Sequence, residues 1–392
     1  MGDSLRLLMI TGEYPPMEGG VADYSRILAQ RLAQRGVEVH VLTSTEAGPT
    51  GERDGLMVHA TVADWSFKPA FAAVSELLEQ VSPDVVNIQY QTAAFGMHPA
   101  VNLLPRRFGQ VPFVITFHDL LVPYLFPKAS RLRTWVNEDL ARKAAAVVVT
   151  NTQDRHRLEA VEGVRRIELI PIGSNITPVL PADYDRETWR RRWGVGTGAM
   201  LLCYFGFLNE SKGAEELMVA LRRVLDRGIP AHLMMIGGTV GASDPTNRAY
   251  LERVQERIAS LGLRDDVFWT GYMPAEDVSA ALVSSDACVL PFRDGASFRR
   301  GSLMAALVHG LPVVSTTPRE DTPEIVDGVN MLLVPPNDAQ ALANAIERLW
   351  REPALAQRLR QGAQELSRLF DWDQIADRML ALLRSVCRPT HS

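Results

Sequence analysis

Lysine and cysteine are both scarce in this chain of 392 residues. Only four of its 41 basic residues are lysines, and 46 acidic residues bring the net charge to −5. A protein that binds the phosphates of nucleic acid needs a basic excess, so we do not expect nucleic acid as a partner. The three cysteines lie far apart in the sequence, which argues against a disulfide framework and a cysteine-bound zinc ion.

Long apolar runs are missing as well. No apolar stretch reaches 18 residues, and the run at residues 5–10 is too short for a signal peptide. Arg6 breaks the myristoylation pattern. We therefore expect a cytoplasmic protein that is free or lies on the inner membrane face. Residues 128–143, where Leu132 and Trp135 stand among basic residues, are a candidate for such peripheral membrane contact, although a solvated helix face has the same pattern.

The chain does contain a regular alternation of short apolar runs with amphipathic segments. Such an alternation predicts strands separated by helices, and therefore doubly wound parallel sheets. We predict an α/β protein of two Rossmann-like domains facing a central cleft, at residues 1–175 and 199–371, with a linker at 176–198. The apolar stripe in residues 372–388 predicts a last helix that either completes the first domain or stays with the second.

The first candidate site follows the first predicted strand, where Gly19 and Gly20 precede a helix. Adjacent glycines let backbone amides approach an anion closely, and the helix N-terminus adds a positive partial charge. The loop therefore predicts a phosphate contact, although a long strand-to-helix turn uses glycine in the same way.

The second candidate follows the first strand of the second domain, where Gly206 leads through Lys212 to Gly213. A lysine at the start of a helix opposes the helix dipole unless an anion lies between them. Lys212 is therefore a candidate phosphate ligand, and a solvated surface lysine is the alternative.

The third candidate is the loop at residues 291–303, again between a strand and a helix. Arg299 and Arg300 precede the backbone amides of Gly301 and Ser302, so guanidinium and amide donors can hold one phosphate together. The two arginines can instead pair with acidic neighbours.

The fourth candidate is His118 with Asp119, directly after an apolar strand. An imidazole at a strand end can hydrogen-bond a sugar hydroxyl or carry a proton, or it can be structural. All four loops are expected at the carboxyl ends of strands around the predicted cleft, which favours a diphosphate-bearing substrate. No carboxylate cluster calls for a divalent metal, so we expect neither a metal nor a cofactor.

Together these segments resemble the retaining glycosyltransferases of family 4, which have the GT-B fold. The matching segments extend through most of the chain: Gly12–Val21, Arg35–Val41, His118–Asp119, Gly206–Gly213, Gly237–Gly238, Gly271–Pro274, His309–Val314, Glu324–Asn330 and Leu333–Asp338.

The resemblance implies that the first domain holds the acceptor, which can be a sugar, a lipid-linked molecule or another small molecule. It implies that the second domain holds a nucleotide-diphosphate sugar, whose base Tyr272 and Met273 would frame. By the same resemblance His118 would touch the donor sugar, and His118 and Asp119 are the catalytic candidates. The predicted donor site consists of Gly19, Gly20, Lys212, Gly237, Tyr272, Met273, Ser297, Arg299, Arg300, Gly301, Ser302 and Glu324. The implied reaction replaces the diphosphate at the anomeric carbon with an acceptor hydroxyl, with retention and without metal.

The sequence departs from the family pattern at three positions. Phe207 stands where the family has an arginine, and Ser297 and Ala305 stand where it has two glutamates. Our hypothesis is that Arg299 and Arg300 supply the missing positive charge. The loss of both glutamates leaves two alternatives open, a non-catalytic nucleotide-sugar binder of the same fold and a sugar-nucleotide epimerase.

Overall fold

The computed structural model describes residues 4–17, 19–118, 120, 130–174, 176, 178–238 and 245–387. The chain divides into two compact units: unit 1 comprises Met1–Gly173 and Asp371–Ser392, and unit 2 comprises Ser174–Phe370. The segment predicted as a linker therefore falls within unit 2, and the last predicted helix falls within unit 1.

The elements of unit 1 before the chain enters unit 2 alternate between strands and helices. They are β1 (Arg6–Thr11), α1 (Gly20–Ala33), β2 (Glu38–Ser44), β3 (Gly51–Arg53), β4 (Leu56–Val62), α2 (Phe67–Val81), β5 (Val85–Tyr90), α3 (Leu104–Arg107), β6 (Phe113–Phe117), α4 (Ser130–Lys143), β7 (Ala146–Val149), α5 (Thr152–Glu159) and β8 (Ile167–Leu169).

Unit 2 repeats the alternation, and one final helix follows it. The remaining elements are α6 (Arg186–Arg192), β9 (Met200–Phe205), α7 (Ala214–Asp226), β10 (Ala231–Ile236), α8 (Pro245–Ser260), β11 (Val267–Gly271), α9 (Ala275–Ser284), β12 (Ala287–Leu290), α10 (Gly301–Val308), β13 (Val313–Thr316), β14 (Leu332–Val334), α11 (Ala339–Arg351), α12 (Pro353–Ser367) and α13 (Trp372–Val386). Among the helices described, none is both long and apolar enough to cross a bilayer.

The sheet of unit 1 contains, among the described residues, eight strands in the order β3-β4-β2-β1-β5-β6-β7-β8. Neighbouring strands are parallel except β3 and β4, which form an antiparallel hairpin. Alternate residues of β1 belong to two separate apolar clusters, Leu8 and Ile10 to one and Leu7 and Met9 to the other. Helical residues complete both clusters, which explains why the strands are apolar throughout.

The C-terminal helix α13 packs on α1 within unit 1. The ring centroids of Trp372 and Tyr24 lie 5.2 Å apart, and Arg35 pairs with Asp377 at 2.6 Å. A Cβ atom on Gly173 would stand 2.4 Å from the Trp372 ring, so the indole needs a glycine there. The helix therefore belongs to the compact unit formed by the first part of the chain.

The sheet of unit 2 contains six described strands in the order β11-β10-β9-β12-β13-β14, and every neighbouring pair is parallel. The chain runs from β9 to β10 and β11 on one side, and then crosses to β12 on the other. In doubly wound sheets, ligands bind outside the carboxyl ends of the strands where the order reverses in this way. The loop of Lys212 follows β9 and the loop of Arg300 follows β12, so both leave the sheet at this point.

Candidate functional site

Two glycines after neighbouring strands bring the unit 2 loops together. Gly206 and Gly237 both have a φ of 105°, a conformation that L side chains rarely adopt. A Cβ atom on Gly206 would stand 3.1 Å from Lys212 Nζ and 3.8 Å from Ser302 Cβ. One on Gly237 would stand 3.8 Å from Gly206 Cα. Four residues predicted from separate motifs or from the resemblance are thus neighbours at the carboxyl ends of β9 and β10.

Lys212 is a partly buried cation in this cluster. Its Nζ donates a 2.8 Å hydrogen bond to the Phe207 carbonyl. Burial lowers the pKa of Lys212 to about 8, and the positive charge of Arg300 contributes to the shift. The group is still largely protonated at neutral pH. Two neighbouring cations with little water around one of them form a place where an anion is stabilised.

Arg300 is held on three sides at the start of α10. It forms an ion pair with Asp294, its Nη2 donates to Ser211 Oγ at 3.3 Å, and its guanidinium carbon lies 5.1 Å from the Phe292 ring centroid. Arg300 therefore does pair with an acidic neighbour, which was the alternative interpretation of this loop. Arg300 remains close enough to Lys212 to affect the pKa of that lysine.

The rest of the arginine loop forms a turn into α10. Ser297 Oγ accepts a hydrogen bond from the Arg299 amide at 3.3 Å, and the Ser297 carbonyl accepts one from the Arg300 amide at 3.0 Å. Gly301 begins α10 and is exposed, whereas Ser302 and Ala305 are buried. Ser297 thus shapes the backbone at a position where the family has a glutamate.

A pocket of about 460 Å³ lies beside Arg300, and its lining includes Ser211, Arg293 and Asp294. Arg293 is neutralised by ion pairs with carboxylates of the β9–α7 region, the shortest at 2.8 Å to Glu216. Arg319 also lines the pocket, and Arg300 contacts Ser211 and Asp294 of its wall. The pocket is of the size found in small-molecule sites.

Three other predicted donor residues differ in exposure. Tyr272 is 93% exposed and Met273 is half-buried, so the aromatic side chain projects from the end of β11 into solvent. Glu324 has a buried Oε2 with no hydrogen-bond partner among the described residues, while its carbonyl accepts from Asn330 Nδ2 at 2.7 Å. A buried carboxylate oxygen without a partner marks a place where a ligand donor would be favourable.

In unit 1, His118 ends a chain of buried amides. Gln89 Nε2 donates a hydrogen bond to Asn87 Oδ1 at 2.5 Å. Gln89 Oε1 therefore faces His118 Nε2 at 2.9 Å and accepts a hydrogen bond from the N–H group of His118. This tautomer leaves His118 Nδ1 as a hydrogen-bond acceptor. Burial lowers the pKa of His118 to about 4, so the imidazole is neutral at physiological pH. Its catalytic partner in our prediction, Asp119, lies outside the described residues.

The glycine pair of unit 1 has an acidic neighbour that the sequence analysis did not identify. A Cβ atom on Gly19 would stand 2.4 Å from Glu13 Oε2, so the carboxylate lies directly against this backbone. Burial raises the pKa of Glu13. Gly20 starts α1, and a Cβ atom there would have nothing within 4 Å. An anion at Gly19 therefore meets a carboxylate as well as the helix N-terminus.

Tyr24 is a second residue that the sequence did not single out. Its ring lies 4.7 Å from that of His118, and its buried hydroxyl has no hydrogen-bond partner among the described residues. It occurs in the middle of the apolar face of α1, so periodicity identifies it only as a core residue.

Among the described residues, no group of three His, Cys, Asp or Glu side chains is placed to hold a metal ion.

Comparison with known families matches both units. The model described as Glycosyl transferase 4-like domain matches residues 19–173, and the model described as Glycosyl transferases group 1 matches residues 199–352. The chain belongs to the group 1, family 4-like glycosyltransferases. It is therefore a transferase of the class that uses nucleotide sugars, and its two Rossmann-like domains are those of the GT-B fold.

Individual relatives cover nearly the whole of this glycosyltransferase. Glycogen synthase of Mycobacterium tuberculosis is 28% identical over 95% of this chain and 92% of its own length. The phosphatidyl-myo-inositol mannosyltransferase of Mycobacterium leprae is 25% identical over 97% of both. The structure of Anabaena HepE in complex with UDP and glucose is 18% identical and superposes with a TM-score of 0.74 over 97% of this chain and 100% of that one.

Proposed function

We propose that this glycosyltransferase moves a hexose from a nucleotide-diphosphate sugar to an acceptor hydroxyl, with retention of anomeric configuration and without a metal ion. Retention and the sugar class follow from the resemblance to family 4. The observation that carries the donor assignment is the cluster of Gly206, Lys212, Arg300 and Ser302 at the switch point of unit 2.

The proposed donor site uses protein cations where other transferases use a metal. When the bond from the anomeric carbon to the diphosphate breaks, negative charge accumulates on the leaving oxygen. Lys212 and Arg300, with the backbone amides of Gly301 and Ser302 at the start of α10, would stabilise this charge. The partly buried position of Lys212 strengthens such an interaction because little water competes.

Glu324 would bind the donor through hydroxyl groups. Its Oε2 is buried and accepts nothing from the described residues, so a ligand hydroxyl would satisfy it. Ser297 and Ala305 cannot accept such hydrogen bonds as carboxylates do, which makes Glu324 the acidic donor contact in this proposal.

Unit 1 is the proposed acceptor unit. His118 Nδ1 would accept a hydrogen bond from a sugar hydroxyl, because Nε2 is engaged with Gln89. Tyr24, whose hydroxyl has no hydrogen-bond partner in the described part of the chain, would contribute a donor beside it. The mycobacterial mannosyltransferase named above acts on a phosphatidylinositol, so we propose polyol and lipid-linked polyol acceptors for the first trials.

The deciding experiment measures acceptor-dependent release of nucleoside diphosphate. UDP-, GDP- and ADP-hexoses are each incubated with a panel of sugar, inositol and lipid-linked acceptors, with and without EDTA. We expect one donor to be consumed only when acceptor is present, no loss with EDTA, and an NMR product of unchanged anomeric configuration. Tight donor binding without transfer to any acceptor, or isomerisation of the donor sugar, would overturn the proposal.

A further inference from the structure

A second pocket of unit 2 lies at the opposite end of the strands from Lys212. It has a volume of about 380 Å³. We call it the arginine pocket, and its lining includes Arg186, Arg190, Met200, Asp286, Leu349, Trp350 and Arg360. Met200 begins β9 and Asp286 directly precedes β12, so the pocket is at the amino ends of these strands. Nothing in the proposed transfer reaction uses it.

One half-buried carboxylate, that of Asp286, pairs with two arginines of this pocket. Asp286 Oδ1 accepts from Arg186 at 2.6 Å, and Oδ2 accepts from Arg190 at 3.0 Å and from the Leu201 amide at 2.8 Å. Both oxygens are therefore engaged before Arg360 is considered. Arg190 is further fixed by the Ser284 and Ala199 carbonyls, which identifies it as the structural member of the group.

Arg360 has no carboxylate of its own among the described residues. Its contact is a 3.4 Å hydrogen bond from Nη2 to the Asp286 backbone carbonyl. Burial lowers the pKa of Arg360, the negative charge of Asp286 opposes this, and the positive charge of Arg186 adds to it. A half-buried guanidinium beside a second one is stabilised when an anion joins them.

The charge of the pocket indicates the charge of its ligand. Three guanidinium groups against Asp286 leave two excess positive charges. Glu187 also lines the pocket, but its carboxylate lies 3.9 Å from Arg186 and is 48% exposed, so solvent screens most of its charge. A phosphate monoester carries about −1.5 to −2 charges at pH 7, which matches the excess.

The apolar wall indicates that the ligand also has a carbon skeleton. Trp350 is 38% exposed although its neighbour Leu349 is buried, and both line the pocket with Met200. An exposed indole next to guanidinium groups offers an apolar surface to whatever the cations hold. We propose that the arginine pocket binds a small organic phosphate monoester, with its phosphoryl group on Arg186 and Arg360 and its carbon skeleton against Trp350.

Calorimetric titration of the full chain with phenyl phosphate tests this proposal. Inorganic phosphate tests the phosphoryl group alone, and benzyl alcohol tests the ring alone. Phenyl phosphate is expected to bind at one site per chain, more tightly than inorganic phosphate, and benzyl alcohol is expected not to bind. Lys212→Gln serves to separate this site from the proposed donor site, and it should leave phenyl phosphate binding unchanged.

Three variants assign the binding to the pocket. Arg360→Gln should weaken phenyl phosphate about tenfold or more, because it removes a charged hydrogen-bond donor. Trp350→Ala should weaken phenyl phosphate but not inorganic phosphate. Arg191→Gln is the control, since Arg191 is an exposed residue of α6 that contacts Thr188 and should change nothing.

The outcomes are distinguishable. Equal affinity in the parent and Arg360→Gln proteins, or binding that disappears in Lys212→Gln, overturns the proposal. Far-UV circular dichroism and the melting temperature of each variant show that the chain is folded. Arg190 is left intact because its loss would leave the Ser284 and Ala199 carbonyls without their donor.

Discussion

The ammonium group of Lys212 donates a 2.8 Å hydrogen bond to the backbone carbonyl of Phe207, the residue at the position of the family's arginine. The side chain of Phe207 is 53% exposed and brings no charge to this loop. A cation is nevertheless present at the end of β9, because Lys212 folds back over the loop. Lys212, which belongs to the segment Gly206–Gly213 that matches the family, is thus the cation at this strand end.

Replacement of Lys212 by glutamine is expected to weaken binding of the nucleoside diphosphate by about 1.5–3 kcal/mol, the range for a hydrogen bond to a charged group. Because burial holds the pKa of the free Lys212 at about 8, affinity in the parent protein should fall as the pH rises above 8. Calorimetric titrations from pH 7 to 9.5 measure both effects. The same alkaline fall in Lys212→Gln would show that another group titrates.

Arg300 and Asp294 should have opposite effects on the same affinity. Arg299→Ala and Arg300→Ala are each expected to weaken diphosphate binding by about 1–3 kcal/mol. Asp294→Asn should strengthen it, because the carboxylate that pairs with Arg300 competes with the ligand. Arg351→Gln, on the exposed end of α11, is the matched control. Unchanged affinity in both arginine variants would end the hypothesis that they supply the missing charge.

Glu13→Gln is expected to stabilise unit 1 at neutral pH. Burial raises the pKa of Glu13 above its ordinary value of 4.5, so the folded state prefers the protonated form. The favourable contribution is complete below pH 4.5 and is lost as the pH rises through the raised value. The melting temperature of the variant should therefore exceed that of the parent at pH 7 and equal it at pH 4. If the melting temperatures of variant and parent differed by the same amount at pH 7 and at pH 4, the raised pKa of Glu13 would be contradicted.

The order of elements was predictable because each strand of a doubly wound sheet is buried on both faces. The apolar run at residues 113–117 matches β6 residue for residue. The hairpin of β3 and β4 was missed, although Asp54-Gly55 between two short strands is a recognised turn signal. The helix α6 in the predicted linker was not foreseen, because most of its residues are charged. Its burial depends on hydrogen bonds from Arg190 to the carbonyls of Ser284 and Ala199.

The candidate site was predictable only as a set of loops. Glycines after strands and a rare lysine pointed to the region where Gly206, Lys212 and Ser302 are neighbours. The sequence did not predict that Arg300 is paired with Asp294 or that Glu13 lies against Gly19. Such pairs depend on rotamers and loop paths, which spacing along the chain does not determine. The neutral state of His118 likewise follows from tertiary burial.

His118 gives the stability of unit 1 a distinct dependence on acidity. Burial lowers its pKa from 6.5 to about 4, so the unfolded chain takes up a proton that the folded chain does not. Its contribution is complete above pH 6.5 and is lost as the pH falls towards 4, with a slope of about 1.4 kcal/mol per pH unit. Hydrogen exchange of β6 measures the slope, which should decrease by this amount in His118→Gln. An equal slope in the parent and in His118→Gln would show that a group other than His118 titrates.

Gly173→Ala tests whether α13 is integral to unit 1. The added methyl group would stand 2.4 Å from the Trp372 ring, and the indole cannot move away without losing its contact with Tyr24. Overpacking of this kind costs about 1–3 kcal/mol. We expect faster hydrogen exchange in α1 and α13 together, because the two helices share one apolar cluster. Gly51→Ala is the control, since its Cβ would have nothing within 4 Å. Faster exchange in α13 alone would mean that this helix only rests on unit 1, and that the core of unit 1 is complete without it.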